Sequence, residues 1–237
     1  MDKNNREEIL EKLKNGRSFD IASDELRNDR DFVLKAVKID GWNLKWTFEN
    51  LRDDKDVVLE AVRQDGSSIT WASPRLKDDK EVVMTAVRNQ GTALQWASDR
   101  LKNDPEVVLE AVKNYGTALE FANDKFKDDK DLVMRAVKNY GYALEFASER
   151  LKDNKEIVLE AIKDSGFIIK NVSKRLKNDI EVVRKAVKQN KFSFRLAGKE
   201  LREKFPTIEA LLNSDKEITK DNQWSKSIED KSSDLER

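Results

Sequence analysis

The 237-residue chain contains neither cysteine nor histidine, and the two absences together remove most of the common active-site chemistries. Without cysteine there is no disulfide, no thiolate nucleophile and no thiolate metal site, and the redox compartment is left undetermined. Without histidine the chain lacks the usual general base near neutral pH and the commonest metal ligand. A hydrolase triad and a zinc centre in their ordinary forms are thereby excluded. Net charge is missing as well: 46 Lys plus Arg balance 46 Asp plus Glu, so no overall field draws the molecule to nucleic acid or to an anionic membrane. No apolar run approaches the roughly 18 residues that span a bilayer. The polar start, Met1 to Glu8, does not read as a secretory signal. The expectation is a cytoplasmic protein without membrane contact, delivery into a host cell being left open. No Gly-rich phosphate loop or calcium-loop spacing occurs either, so no cofactor and no metal are expected and the chain reads as non-enzymatic.

What the chain has is repetition. Residues Leu101 to Lys125 set out a unit that is copied on both sides at a fixed spacing of 25. The leading apolar residue recurs at Leu26, Leu51, Leu76, Leu101, Phe126, Leu151, Leu176 and Leu201. An Asp or Asn follows at Asp29, Asp54, Asp79, Asp104, Asp129, Asn154 and Asp179, and an Ala at Ala36, Ala61, Ala86, Ala111, Ala136, Ala161 and Ala186. Glycine closes the first half at Gly16, Gly41, Gly66, Gly91, Gly116, Gly141 and Gly166. Self-similarity at this period marks a stacked repeat architecture. A charged fraction of 39% suits such a stack, because every unit exposes much of its surface.

Within a copy the local signals predict two helices. Asp104 is a good N-cap, Pro105 suits the first helical position, and Glu106 complements the positive end of the helix dipole. Val107, Val108, Ala111 and Val112 then line one face, with Leu109 widening it. Lys113 suits the negative end, and Gly116 is expected in the left-handed conformation just past the C-cap. A second, short helix over about 117–125 presents Ala118, Leu119, Phe121 and Ala122, and is marginal alone. Small residues at Ala72, Ala97, Ala122, Ala147 and Ala197 allow neighbouring units to approach closely. The predicted fold is an all-α solenoid, a superhelix of about seven two-helix repeats over 26–200. A degenerate capping repeat is expected over 1–25, a capping helix over 201–213 and a disordered tail over 214–237. Arg184 in place of Leu or Met, and Lys191 in place of glycine, mark the approach to the C-terminal cap.

The pattern Leu-x-x-Asp-x-Glu/Asp-Val-Val-Leu-x-Ala-Val, then Gly-x-Ala-Leu-x-Trp/Phe-Ala-Ser, resembles a tandem-repeat family of bacteria, their phages and protists described only as a domain of unknown function. The resemblance covers about residues 16–201. It is also distantly similar to the leucine-rich repeat variant, a right-handed superhelix of paired helical segments. It implies a helical solenoid and carries no catalytic residues to transfer. Copies 26–50 and 176–200 depart most, with Thr47-Phe48 replacing Ala-Ser and Lys191 replacing glycine.

Three sets of residues are candidate sites. Two stacked basic rows, Lys38, Arg63, Arg88, Lys113, Lys138, Lys163, Lys188 and Arg27, Arg52, Lys77, Lys102, Lys127, Lys152, Lys177, could track a phosphate backbone. Both fall near helix C-termini, however, and an acidic row (Asp31, Asp56, Glu81, Glu106, Asp131, Glu156, Glu181) falls near N-termini, so dipole complementation and local ion pairs account for them better. Aromatic residues at the glycine turn, Trp42, Tyr115, Tyr140, Tyr142, Phe167 and Phe192, vary between copies and together could line a partner-binding edge. The alternative is that the residues after the glycine pack back on the preceding helix, Trp42 on Val37 for example. Trp46, Trp71, Trp96, Phe121 and Phe146 recur regularly and are expected in the inter-repeat core. Ser73, Ser98 and Ser148 lack a base and read as caps or small packing residues. Asp53-Asp54 and Asp128-Asp129 likewise sit where helix caps are needed. The functional expectation is a non-catalytic scaffold for another protein or protein complex. The alternatives are an inhibitor or effector that blocks a larger host, phage-defence or nucleic-acid-processing machine by occupying its surface, and nucleic-acid backbone binding through the basic rows.

Overall fold

The structure, a computed structural model, describes residues 5–214, so the predicted tail lies, apart from Ser214, outside the described residues. Among the described residues every regular element is helical. The chain forms two compact units, one up to Leu151 and one from Lys152 onward. Both are all-α stacks of the same repeat, the α-solenoid arrangement.

The copy around Asp104 shows how a repeat is built. The Asp104 carboxylate accepts from the N–H groups of Glu106 at 3.0 Å and Val107 at 3.2 Å, which starts the helix Pro105–Asn114. Val107, Val108, Ala111 and Val112 are completely buried. The helix ends at Tyr115, whose backbone is extended and whose N–H donates to the Ala111 carbonyl at 2.9 Å.

The second half of the repeat is divided. A 3-10 helix, Gly116–Phe121, runs to an extended Ala122, and a single α-turn, Asp124–Lys127, follows. With three residues per turn, Gly116 and Leu119 fall in one column with Ala122 at its end, and all three are buried. That alignment, set by the fit against neighbouring repeats, is what a continuous α-helix over 117–125 would break. Gly116 is also not left-handed. Among the described residues Gly16 alone has positive φ, +79°, and there the N–H groups of Gly16 and Arg17 return to the carbonyls of Leu13 and Lys12 to close the helix Arg6–Lys14. On the lattice, glycine is required by proximity: a Cβ on Gly116 would lie 2.4 Å from the Ala136 carbonyl oxygen of the next copy.

In the first unit the long helices Arg30–Ile39, Lys55–Gln64, Lys80–Asn89, Pro105–Asn114 and Lys130–Asn139 each pack on the next, and the 3-10 helices Gly41–Trp46 to Gly141–Phe146 form a second stack beside them. The helix Arg6–Lys14 covers the start of the first stack, burying Ile9. Asparagine stitches the copies together. Asn114 donates to the Arg88 carbonyl at 2.9 Å and accepts from the Gly91 N–H at 2.6 Å; Asn89 and Asn139 repeat this on Arg63/Gly66 and Lys113/Gly116. In the second unit Lys155–Ala161 and Ile180–Gln189 are the long helices, followed by Lys199–Lys204 and a helical stretch over 208–214. Arg184 has a specific use there. Its Nε donates to the Leu211 carbonyl at 3.2 Å and its guanidinium pairs with the Ser214 hydroxyl, so the final helical stretch docks where other copies carry Leu or Met.

Candidate functional site

Most of the charged rows are consumed by the scaffold. Lys55 reaches Asp79 at 2.8 Å and Glu81 at 2.9 Å in the next copy, and Lys80 reaches Asp104 at 2.9 Å and Glu106 at 2.8 Å. Arg30 and Lys155 repeat the arrangement on Asp54/Asp56 and Asp179/Glu181. Hydrogen bonds to Asp79 and then Glu81 raise the Lys55 pKa, and those to Glu106 and then Asp104 raise that of Lys80. For Asp79, burial pushes the pKa up, but hydrogen bonds from Lys55 and the Val82 N–H outweigh it and the net shift is down. The partners of the acidic row are thus cations that the sequence reading did not single out.

Residues of one basic row close the carbonyl ends of the 3-10 helices. Arg52 donates to the Thr47 carbonyl at 2.9 Å and Lys77 to that of Thr70 at 2.7 Å; burial pushes the Lys77 pKa down. The serines are structural. Ser73, Ser98 and Ser148 cap the short helices and donate to Asp53, Asp78 and Asp128 of the preceding copy, which also take Arg75, Arg100 and Arg150 at 3.0 Å. The serine bonds first and the arginine second hold these carboxyls below the usual range. Asp54 and Asp129 are helix caps. Lys38, Lys113 and Lys138 of the other row are exposed and stand out from this internal use.

Three of the turn aromatics come together. Tyr115 and Tyr140 stack with ring centroids 5.8 Å apart and planes 20° from parallel, and Tyr142 lies 5.5 Å from Tyr140. Tyr115 and Tyr140 are 43% and 37% exposed. Each is the extended residue before a lattice glycine, so the chain turns inward at the glycine and leaves the ring outside. Trp42 is separate from them. It donates to Asp65 at 2.7 Å and meets Trp71 edge-on at 6.1 Å, contacts that run to the next copy. Phe167 and Phe192 are exposed rings of the second unit, Phe192 with the Arg195 guanidinium 5.7 Å above it.

The recurring Trp and Phe positions are not core. Trp96 is 40% exposed, and Trp46, Trp71, Phe121 and Phe146 are half-buried. The core column belongs instead to Leu44, Ile69, Leu94, Leu119 and Leu144, all fully buried. In a three-residue turn the ring follows Asn43, Ser68, Ala93, Ala118 or Ala143 at the margin of the buried face: the small residue fits inside and the large one emerges. The emerging rings attract cations. The Lys45 ammonium lies 4.8 Å from the Trp46 ring and 5.2 Å from that of Trp71, and Lys77 lies 5.9 Å from Trp96.

Beside Trp46 the lattice is broken at three positions together. Four later junctions carry the Asp, Ser and Arg clamp; this one has Asn28, Phe48 and Asn50, as two others have Asn103, Asn123, Lys125 and Asn178, Gly198, Glu200, and here Asn50 donates to Asn28 at 3.0 Å. Phe48 is 40% exposed and makes no capping bond. An open cavity of about 730 Å³ lies here, lined among others by Arg27, Lys45, Trp46, Phe48 and Arg52. A second of about 430 Å³, lined by Trp71, Ala72 and Ser73, shares Glu49 and Arg52 with it.

Among the described residues no cluster of three or more acidic side chains is arranged to hold a metal ion, and no helix is long and apolar enough to cross a membrane. A family model described as a domain of unknown function (DUF4116) matches seven overlapping stretches, residues 5–52, 33–77, 54–102, 79–127, 104–152, 129–176 and 154–202. No curated protein and no solved structure matches the chain.

Proposed function

Because the chain belongs to the DUF4116 family, whose repeats here build a helical scaffold, we propose that it is a non-catalytic module that binds a partner protein through the turn edge of its first unit. The observation that carries this reading is the stacked, exposed pair of Tyr115 and Tyr140, with the half-buried Tyr142 tilted against it. Rigid amphipathic rings held in place by their backbone lose little entropy on binding and are enriched at the centres of protein interfaces. The exposed lysines Lys113 and Lys138 stand two residues before two of them. Trp42 is proposed as a separate contact point on the same edge, and Phe167 and Phe192 as the corresponding rings of the second unit.

The test is affinity capture of the partner with and without nuclease and at two salt concentrations, repeated with Tyr115→Ala/Tyr140→Ala. Loss of about 2 kcal/mol or more, roughly thirtyfold in affinity, at an unchanged melting temperature supports the edge; undiminished binding removes it. If the captured partner is an enzyme or assembly whose activity falls on binding, the module acts as an inhibitor by surface occupancy. Recovery of nucleic acid alone, lost at high salt, would move function to the basic rows.

A further inference from the structure

We propose that the groove between the first two copies takes a proline-rich segment of a partner protein in the polyproline II conformation. This site shares no residue with the tyrosine edge. The two adjoining cavities make one track, because Glu49 and Arg52 line both, and its walls carry the rings of Trp46, Phe48 and Trp71.

The hydrogen-bonding inventory of the track is lopsided. Arg27 Nε and Trp71 Nε1 are buried donors without a partner among the described residues. Arg52 uses its Nε on the Thr47 carbonyl, leaving two amino groups without a partner among the described residues. On the acceptor side, Asp24 is already paired with Arg27, and Asp53 already takes Ser73 and Arg75. A site rich in donors and poor in acceptors suits a chain that offers carbonyls and few N–H groups. Proline has a carbonyl and no N–H, and a polyproline II helix makes no internal hydrogen bonds, so its carbonyls are free to accept. Flat aromatic walls hold pyrrolidine rings, and the preformed helix loses little entropy on docking. A polyanion fits less well: Arg27, Lys45 and Arg52 face Asp24 and Glu49 within the same lining, whereas phosphate backbones need a continuous cationic track.

The replacement of the clamp by Asn28, Phe48 and Asn50 removes an ion pair from this junction and puts an exposed ring in its place. Access to the Trp71 N–H requires movement of the side chains over it. Lys45, exposed and without an ion pair among the described residues, lies over that ring and is the side chain that swings aside.

The experiment is a titration of the full chain with a decaproline peptide, followed by tryptophan emission. Of the five tryptophans, Trp46 and Trp71 line the track and Trp42 meets Trp71, while Trp96 belongs to the following copy and Trp224 is outside the described residues. Decaproline should give a saturable change, and a Gly-Ser decamer none. Trp71→Phe keeps the ring and removes the N–H, and should weaken binding about fivefold to tenfold. Phe48→Ser installs the serine that four later copies carry at this position and should weaken it similarly, so it decides the matter if Trp71→Phe does not fold. Tyr115→Ala/Tyr140→Ala should bind decaproline as the parent does, which separates this site from the edge. The proposal is overturned by no saturable change up to about millimolar peptide, by equal binding of the Gly-Ser decamer, by unaltered affinity in Phe48→Ser, or by tighter binding of a 15-nucleotide oligo-dT or an Asp-rich peptide.

Discussion

A methyl group on Gly91 would lie 2.3 Å from the carbonyl oxygen of Ala111 and 3.0 Å from the amide nitrogen of Tyr115, both backbone atoms of the next copy. Neither can rotate out of the way, so Gly91→Ala has to push two repeats apart. Overpacking of this kind costs about 1–3 kcal/mol, and we expect a loss at or above the top of that range in urea denaturation. Gly16 reverses the argument. Nothing lies within 4 Å of a Cβ there, yet its φ is +79°, so Gly16→Ala strains the backbone without a clash and should cost about 1–2 kcal/mol. If the two substitutions were equally mild, close approach would not be the reason for glycine on the lattice.

Between elements, the asparagine that ends three of the long helices, Asn89, Asn114 and Asn139, does work that no local rule assigns to it. Asn114→Ala would leave the buried Gly91 N–H and the Arg88 carbonyl without their partner. The expected cost is about 1–3 kcal/mol. Arg100→Ala, which removes an exposed ion pair with Asp78, should stay within about 1 kcal/mol. Denaturation of the two variants side by side checks the order, and an arginine loss larger than the asparagine loss would contradict it. The same contrast explains what could be read from the sequence. The long helices were legible because Asp104, Pro105 and the Val107 to Val112 face act locally, and the 25-residue period placed Tyr115 and Tyr140 at one position of adjacent copies. The choice of a 3-10 helix over an α-helix for Gly116–Phe121 was not legible, since it depends on fitting Gly116, Leu119 and Ala122 against neighbours. Nor was the exposure of Trp46, Trp71 and Trp96. In a repeat protein every position recurs, so regularity marks a surface ladder as well as a core. Asn114 passed unnoticed because an asparagine near a helix end already has a sufficient local explanation.

For the whole chain, the missing histidine and cysteine fix the shape of the pH response. No side chain has an ordinary pKa between about 5 and 7. The shifted carboxylates move down and Arg30, Lys55, Lys80 and Lys155 move up, away from that window, and only Lys77, lowered by burial, is shifted toward it among the described residues. Asp53, Asp78, Asp128 and Asp153 are held low by serine and then arginine, so their stabilisation is complete above the unfolded carboxylate value of about 3.9 and is lost as pH falls through the lower folded values. Lys55, Lys80 and Lys155 are raised, so their contribution is complete below about 10.4 and is lost as pH rises through the higher folded values. The melting temperature should therefore be flat from about pH 5 to about pH 7, decline in acid below about pH 4, and decline again in strong alkali. A step centred near pH 6 would show that the linkage is misassigned. The same reasoning extends to binding: neither the tyrosine edge nor the Trp71 groove contains a histidine or a cysteine. If capture of a partner changes across the flat window while the melting temperature does not, the titrating group belongs to the partner, and a histidine on its binding surface is the first residue to replace.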